Sequence, residues 1–222
     1  MKKNNKAPNR LMKLFFSFFV YLFFSCGLDT IIYLEAPHFT HRANSLQESE
    51  QYIEFKTSDS INLAGYYLGF DILYKIYATE QELTSDTNKI NSYNNSNPQA
   101  SARWLLETKK YQRLVGKTEP IVKAGTTDRV VRVRLYDYGS PSTDKDKAGL
   151  STDGIFVTVV KRKNGETFKV IPNGSDADDI NKTSDKTEDY KFVAFFAVTV
   201  GLDEKFVALY SQILDLGYLE LK

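Results

Sequence analysis

The sequence predicts a mainly β fold: an antiparallel sandwich with an inserted segment that carries one helix, preceded by an export signal. Three observations predict it. The 222-residue chain holds 15 Phe and 14 Tyr but only 2 Met, and aromatic and β-branched side chains suit a pleated surface. Its apolar segments alternate with polar residues or run unbroken over strand-like lengths, between stretches rich in Asn, Ser, Gly and Pro. A single cysteine excludes an internal disulfide, and the length suits one domain that folds around its own core.

The chain opens on Lys2, Lys3, Lys6, Arg10 and Lys13, then an apolar run from Leu14 to Phe24 broken only by Ser17, then Ser25 and Cys26. A membrane-crossing helix needs roughly 20 apolar residues, so this shorter run reads as the h-region of a secretory signal spanning 1–25. The segment Leu22-Phe23-Phe24-Ser25-Cys26 resembles a bacterial lipobox. It departs from the usual pattern in holding Phe23 and Phe24 where Leu and a small residue are common. Such relaxed boxes resemble those of treponeme-type spirochaete lipoproteins. The resemblance implies cleavage before Cys26, acyl chains on its thiol and a membrane or outer-membrane location, periplasmic or surface-exposed. Five of the 29 basic residues and none of the 28 acidic ones precede Cys26, so the remainder carries 24 against 28, a net charge of −4. A mildly acidic chain lacks the basic field of a nucleic-acid binder.

Strands are expected at Thr30 to Leu34, Gln51 to Thr57, Tyr66 to Ala78, Arg129 to Tyr138, Gly154 to Arg162, Thr167 to Ile171, Tyr190 to Val200 and Leu209 to Leu221. Val131, Val133 and Leu135 alternate with Arg132, Arg134 and Tyr136, which predicts one wet face. Phe192 to Val198 is apolar on both faces and predicts a central strand covered on both sides, with Phe192, Ala194, Phe196 and Val198 sharing one face. One helix is signalled: Asn97 as cap, Pro98 at the first position, then Ser101 to Val115, with Gly116 as its stop. Trp104 is expected to pack this helix against a sheet. The polar stretches Ser85 to Asn97, Gly139 to Gly154 and Pro172 to Asp189 read as mobile loops and, on a rigid scaffold, as candidate binding loops.

The run Gly69-Phe70-Asp71-Ile72-Leu73-Tyr74-Lys75-Ile76-Tyr77 resembles the third strand of a fibronectin type III domain. Tyr190 to Val198 resembles the sixth strand and Ser211 to Leu221 the seventh. The resemblance implies an Ig-like sandwich and brings no catalytic residues with it. The segment Thr79 to Gly154 exceeds what that family places between strands, which makes it an insertion. The expected organisation is therefore 1–25 signal peptide, 26–50 lipidated lead-in with the first strand, and 51–222 sandwich domain with the insertion at about 79–154.

No catalytic or metal constellation emerges. His38 and His41 are the only histidines; a metal site needs three or four ligands, so the pair would have to recruit an acid such as Glu35, and a flexible lead-in is the expectation instead. No phosphate-loop or nucleophile-elbow motif is present. Asp176, Asp178 and Asp179 lack the glycine and glutamate of a calcium loop and read as a solvated acidic loop; Asp144 to Lys147 reads as a surface run. The expected function is a lipid-anchored, non-catalytic binding module without a cofactor. Its expected partners are the membrane, through Cys26, and an envelope or host protein. The alternatives are a glycan-directed hydrolase with paired carboxylates and a structural subunit of an envelope assembly.

Overall fold

The computed structural model describes residues 33–43, 47–62, 66–139, 143–172, 178–182 and 189–222. The signal segment, Cys26 and residues 30–32 of the first expected strand lie outside the described residues. The fold is mainly β, two antiparallel sheets packed face to face. The first sheet runs β1 (His38–His41), β2 (Ile53–Lys56), β6 (Val130–Arg134), β7 (Gly149–Thr152), β8 (Ile155–Thr158). The second runs β10 (Ala208–Tyr210), β9 (Phe192–Leu202), β3 (Tyr67–Tyr77), β4 (Gln112–Arg113), with β11 (Leu214–Glu220) also on β9 and β5 (Val122–Lys123) also on β3.

Strands β3 and β9 are long because both of their faces are buried. Phe70, Ile72, Tyr74 and Ile76 of β3, with Val193, Phe195 and Ala197 of β9, face the first sheet and meet Ile53, Phe55, Val131, Val133 and Leu150. The Phe55 and Phe70 rings lie 6.1 Å apart across this core. The alternate residues Leu73, Tyr77, Ala194, Phe196, Val198 and Val200 face a second core made with two helices. The central, doubly covered strand expected at Phe192 to Val198 is thus present with the expected parity. Near the start of β3, Gly69 has φ of +141°, and a Cβ there would lie 2.0 Å from the Val122 carbonyl. Only glycine allows β5 to approach so closely.

The helical layer holds more than the sequence suggests. Helix α1 (Glu80–Ser96) occupies the stretch expected as the loop Ser85 to Asn97, and α2 (Pro98–Glu107) follows directly. Thr79 caps α1 by accepting from the Glu82 N–H at 3.2 Å, and Glu80 and Glu82 favour its N-terminus. The helix is polar because only Leu83 and Ile90 are buried. Asn91 and Asn94 tie it to the sheet instead, donating to Asp215 at 2.7 Å and to the Ile213 carbonyl at 3.1 Å. Pro98 sits at the start of α2 as expected, but the Asn97 side chain makes no capping bond. The helix ends at Glu107 rather than near Val115: Lys110 adopts φ of 59°, and Gln112 and Arg113 join β3. Trp104 stacks on Tyr93 of α1 at 4.2 Å, so it joins the helices to each other while packing against the second core.

Three further expectations shift. The first strand lies at His38–His41, beyond Tyr33 and Leu34, so the histidines belong to a paired strand and not to a loose lead-in. Residues 167–171 form turns around buried Phe168. The expected strand from Leu209 to Leu221 breaks into β10 and β11 around Ser211, whose N–H and hydroxyl bond β9 at Thr199.

Candidate functional site

On the helix-facing side of β3, Lys75 is a cation between the apolar side chains of Leu73 and Tyr77. Its side chain is 8 % exposed and its ammonium donates to the Lys109 carbonyl at 2.8 Å. The Tyr77 and Tyr111 rings stand beside it, each 5.9 Å from Nζ. Burial pushes the Lys75 amine below the ordinary lysine range; Asp86 opposes the shift and Lys109 reinforces it. The Tyr77 hydroxyl donates to Asp86 at 2.7 Å and pairs with the Tyr111 hydroxyl at 2.8 Å, while Lys109 also grips Asp86. Burial raises both phenols well above their usual range, so they stay protonated donors.

Lys75 lines a pocket of about 700 Å³ whose other walls include Lys110, Lys163, Lys182, Gln112 and Asp178. The loops that carry these lysines are pinned beneath the pocket. Arg162, buried, donates to both carboxylate oxygens of Asp179 at 2.8 Å. Asp179 also accepts from the Tyr74 hydroxyl at 2.7 Å, and that hydroxyl accepts from the Lys163 N–H at 2.7 Å. Backbone bonds from Ile76 N–H to the Asp179 carbonyl and from Asn181 N–H to the Ile76 carbonyl lay residues 179–181 along the edge of β3. Asp179 is therefore buried and structural, where a solvated acidic loop was expected. Lys110, Lys163 and Lys182 form no ion pair among the described residues. Among the described lining residues four lysines stand against one carboxylate, a balance that favours an anion, and ammonium donors form the stronger, charge-assisted class of hydrogen bond.

The other expected site residues take different positions. His41 stacks on Tyr52 at 4.0 Å and lies 3.4 Å from the Glu50 carboxylate; Arg132 covers the Tyr52 ring at 3.8 Å. His38 lies opposite Lys56 in β1. Glu35 contributes its backbone to neighbouring side chains. Among the described residues no group of three or more His, Cys, Asp or Glu is placed to hold a metal. A second, more apolar pocket of about 320 Å³ is lined by Leu135, Phe156, Val160 and Phe168, with Asp137 as its carboxylate. Each pocket thus has one carboxylate among its described lining residues, so neither brings a pair together. Asp176 and Cys26 lie outside the described residues.

The lysine pocket was not read from the sequence. Its one local signal is Lys75 itself, a lone cation at a position whose strand neighbours are apolar. Lys110 comes from the connection before β4, and Lys163 and Lys182 from two distant points of the long connection between β8 and β9, and only the fold brings them to one place. No family model, curated protein or solved structure matches this chain.

Proposed function

We propose that this chain is a lipid-anchored, non-catalytic binding module of a bacterial cell envelope, and that its ligand is an anion held in the pocket of Lys75, Lys110, Lys163 and Lys182. The observation that carries the reading is the set of four lysines around one pocket with a single carboxylate on its described walls. The anchor rests on the basic head, apolar run and Cys26 of the sequence. The ligand chemistry is that of carboxylate, phosphate or sulfate groups, as borne by acidic glycans, acidic peptides and phosphorylated envelope components.

An Ig-like, fibronectin-related origin for the sandwich is part of the proposal. The third, sixth and seventh strands of the resemblance correspond to β3, β9 and β11, which lie side by side, as strands C, F and G do in Ig-like sandwiches. Strands β1, β2 and β6 adjoin in the order of A, B and E. The extra strands β7 and β8 after β6 depart from that plan.

Calorimetric titration of the full chain with inorganic phosphate, sulfate and citrate tests the ligand class. Saturable binding is expected, weakened about tenfold by Lys75→Met, the factor that about 1.4 kcal/mol of charge-assisted hydrogen bonding is worth. Affinity should fall as pH rises through the depressed Lys75 value, because only the ammonium attracts an anion. Absence of saturable binding by all three anions, or affinities unchanged by Lys75→Met and Lys163→Ala together, overturns the assignment.

A further inference from the structure

The chain enters the sandwich through a clamp. Leu34 and Ala36 are buried. Between them the Glu35 N–H donates to Asn62 Oδ1 at 2.9 Å, and the Glu35 carbonyl accepts from Asn62 Nδ2 at 3.1 Å, Ser58 Oγ at 3.0 Å and Thr199 Oγ1 at 2.5 Å. Tyr33 is therefore held at a fixed point, beside the loop before β3 and the end of β9. Tyr33 is seven Cα-to-Cα steps from Cys26. Even fully extended they reach about 25 Å at most, so acyl chains on Cys26 hold this end of the sandwich near the bilayer.

Several of the exposed large apolar side chains lie at that same end. Tyr33 is 56 % exposed, Ile61 61 % and Phe206 83 %, with Tyr66 and Val207 also exposed there and Ile155 at the far edge of the first sheet. The pairing places them together. Leu202 N–H bonds the Tyr66 carbonyl, and the turn Asp203 to Val207 continues from there into β10. Ile61 adjoins Asn62 of the clamp. Ile155 opposes Thr152, which opposes Val131, at the matching end of the first sheet. The turn is built to hold Phe206 outward: Asp203 Oδ1 accepts from the Lys205 and Val207 N–H groups at 2.8 and 2.7 Å, and Asp203 O accepts from Phe206 N–H at 3.0 Å. Phe206 has φ of 60° there, a left-handed conformation uncommon for a bulky residue. The lysine pocket lies at the other end of β3, roughly 30 Å away at strand spacing.

We propose that this apolar end is a bilayer-contacting face, in which Phe206, supported by Tyr33, Ile61, Tyr66 and Val207, enters the headgroup region of the membrane that holds Cys26. The inference rests on the reading of Cys26 as acylated. Tyrosines such as Tyr33 and Tyr66 favour the membrane–water interface, Phe is among the side chains that interfacial segments bury there, and Lys205 beside Phe206 can keep its ammonium among the phosphates. An apolar contact adds to the attachment that the acyl chains supply. It also fixes orientation, turning the lysine pocket away from the bilayer and toward soluble ligands.

The test uses the full chain purified from membranes with its modification intact, in a Trp104→Phe background so that one tryptophan reports. Phe206→Trp places that reporter on the hairpin. Val170→Trp places it at an exposed site near the opposite end, two residues before Pro172, whose carbonyl binds Tyr190 N–H beside Tyr77. Each protein is reconstituted into phosphatidylcholine vesicles with acyl chains brominated near the headgroup. Interfacial side chains sit about 5–10 Å into the headgroup boundary, so strong quenching of Phe206→Trp and little of Val170→Trp is expected. Equal quenching of the two overturns the bilayer face, as does shielding of Phe206→Trp by a second copy of the chain, seen as concentration-dependent protection. Intact mass reports separately on the anchor. If Cys26 carries no lipid the anchor reading fails, and coupling this single thiol to a maleimide phospholipid lets the same pair of variants decide the bilayer face.

Discussion

Asp59 has no exposed surface, yet everything around it is arranged for its charged form. Burial alone would raise its carboxyl. Hydrogen bonds from Tyr67, Thr57, the Gly125 N–H and Arg129 outweigh burial and hold it below the ordinary carboxylate value of 3.8. Arg129 reaches it through Nε and Nη2 at 3.0 and 2.9 Å, Thr57 at 2.7 Å and Gly125 at 2.7 Å. One carboxylate thereby joins the loops that follow β2 and β5 to the start of β3. The sign of its pH effect follows: a depressed folded value gives stability that is fully present above about pH 4 and is lost as pH falls through the lower folded value. Asp59→Ala should cost about 3 kcal/mol, the lower end for breaking a buried ion pair, because the Arg129 side chain keeps 25 % of its surface exposed. Urea unfolding at pH 7 and pH 3 measures both effects, with the gap between wild type and variant narrowing at pH 3. None of this is visible in the segment Lys56-Thr57-Ser58-Asp59-Ser60, which reads as an ordinary polar turn. Thr57 is two residues away, but the other partners lie 8, 66 and 70 residues away, and only the fold selects those.

Among the elements, β9 and α1 mark the two extremes of what local sequence conveys. Phe192 to Val198 announces itself because all seven of its residues are apolar, the pattern of a strand buried on both faces. Phe196 has no exposed surface and meets Tyr111 edge-on at 5.5 Å, between the second sheet and the helices. Phe196→Ala should cost about 3–5 kcal/mol, the range for a large buried side chain whose cavity the surroundings fill only partly, read as a lower midpoint in denaturant with an unchanged slope. Helix α1 conveys almost nothing locally. With Leu83 and Ile90 as its buried residues it lacks the wide apolar stripe of a typical surface helix, and its Asn and Ser content favours turns in isolation. What holds it is the Thr79 cap, the bonds of Asn91 and Asn94 to the β11 segment, and the Tyr93–Trp104 stack. Two of those three are contacts across the fold. The lysine pocket was illegible for the same reason, since its lysines come from β3, the connection before β4 and the long connection before β9, which are distant in sequence.

At the scale of the whole molecule, the chain from Cys26 onward is net acidic, so an anion site cannot arise from overall charge. It has to be local, and within a Debye length of about 8 Å at physiological ionic strength the lysines of the pocket set the potential that an incoming anion meets. In the proposed function the sandwich separates two tasks along β3: attachment at the Tyr67 end, where Glu35 is clamped, and recognition at the Tyr77 end, where the lysines gather. Because the two ends share only the strands between them, and those strands are buried on both faces, changing the attachment should leave recognition unaltered. Cys26→Ala tests both halves. The variant should take up no labelled fatty acid and should accumulate as the unprocessed precursor, since the thiol is the acceptor of the lipid. Its affinity for phosphate, sulfate or citrate should match that of the wild type in the same titration. Retained label would remove the thiol as the lipid acceptor, and a change in anion affinity would show that the two ends are coupled through the sheet.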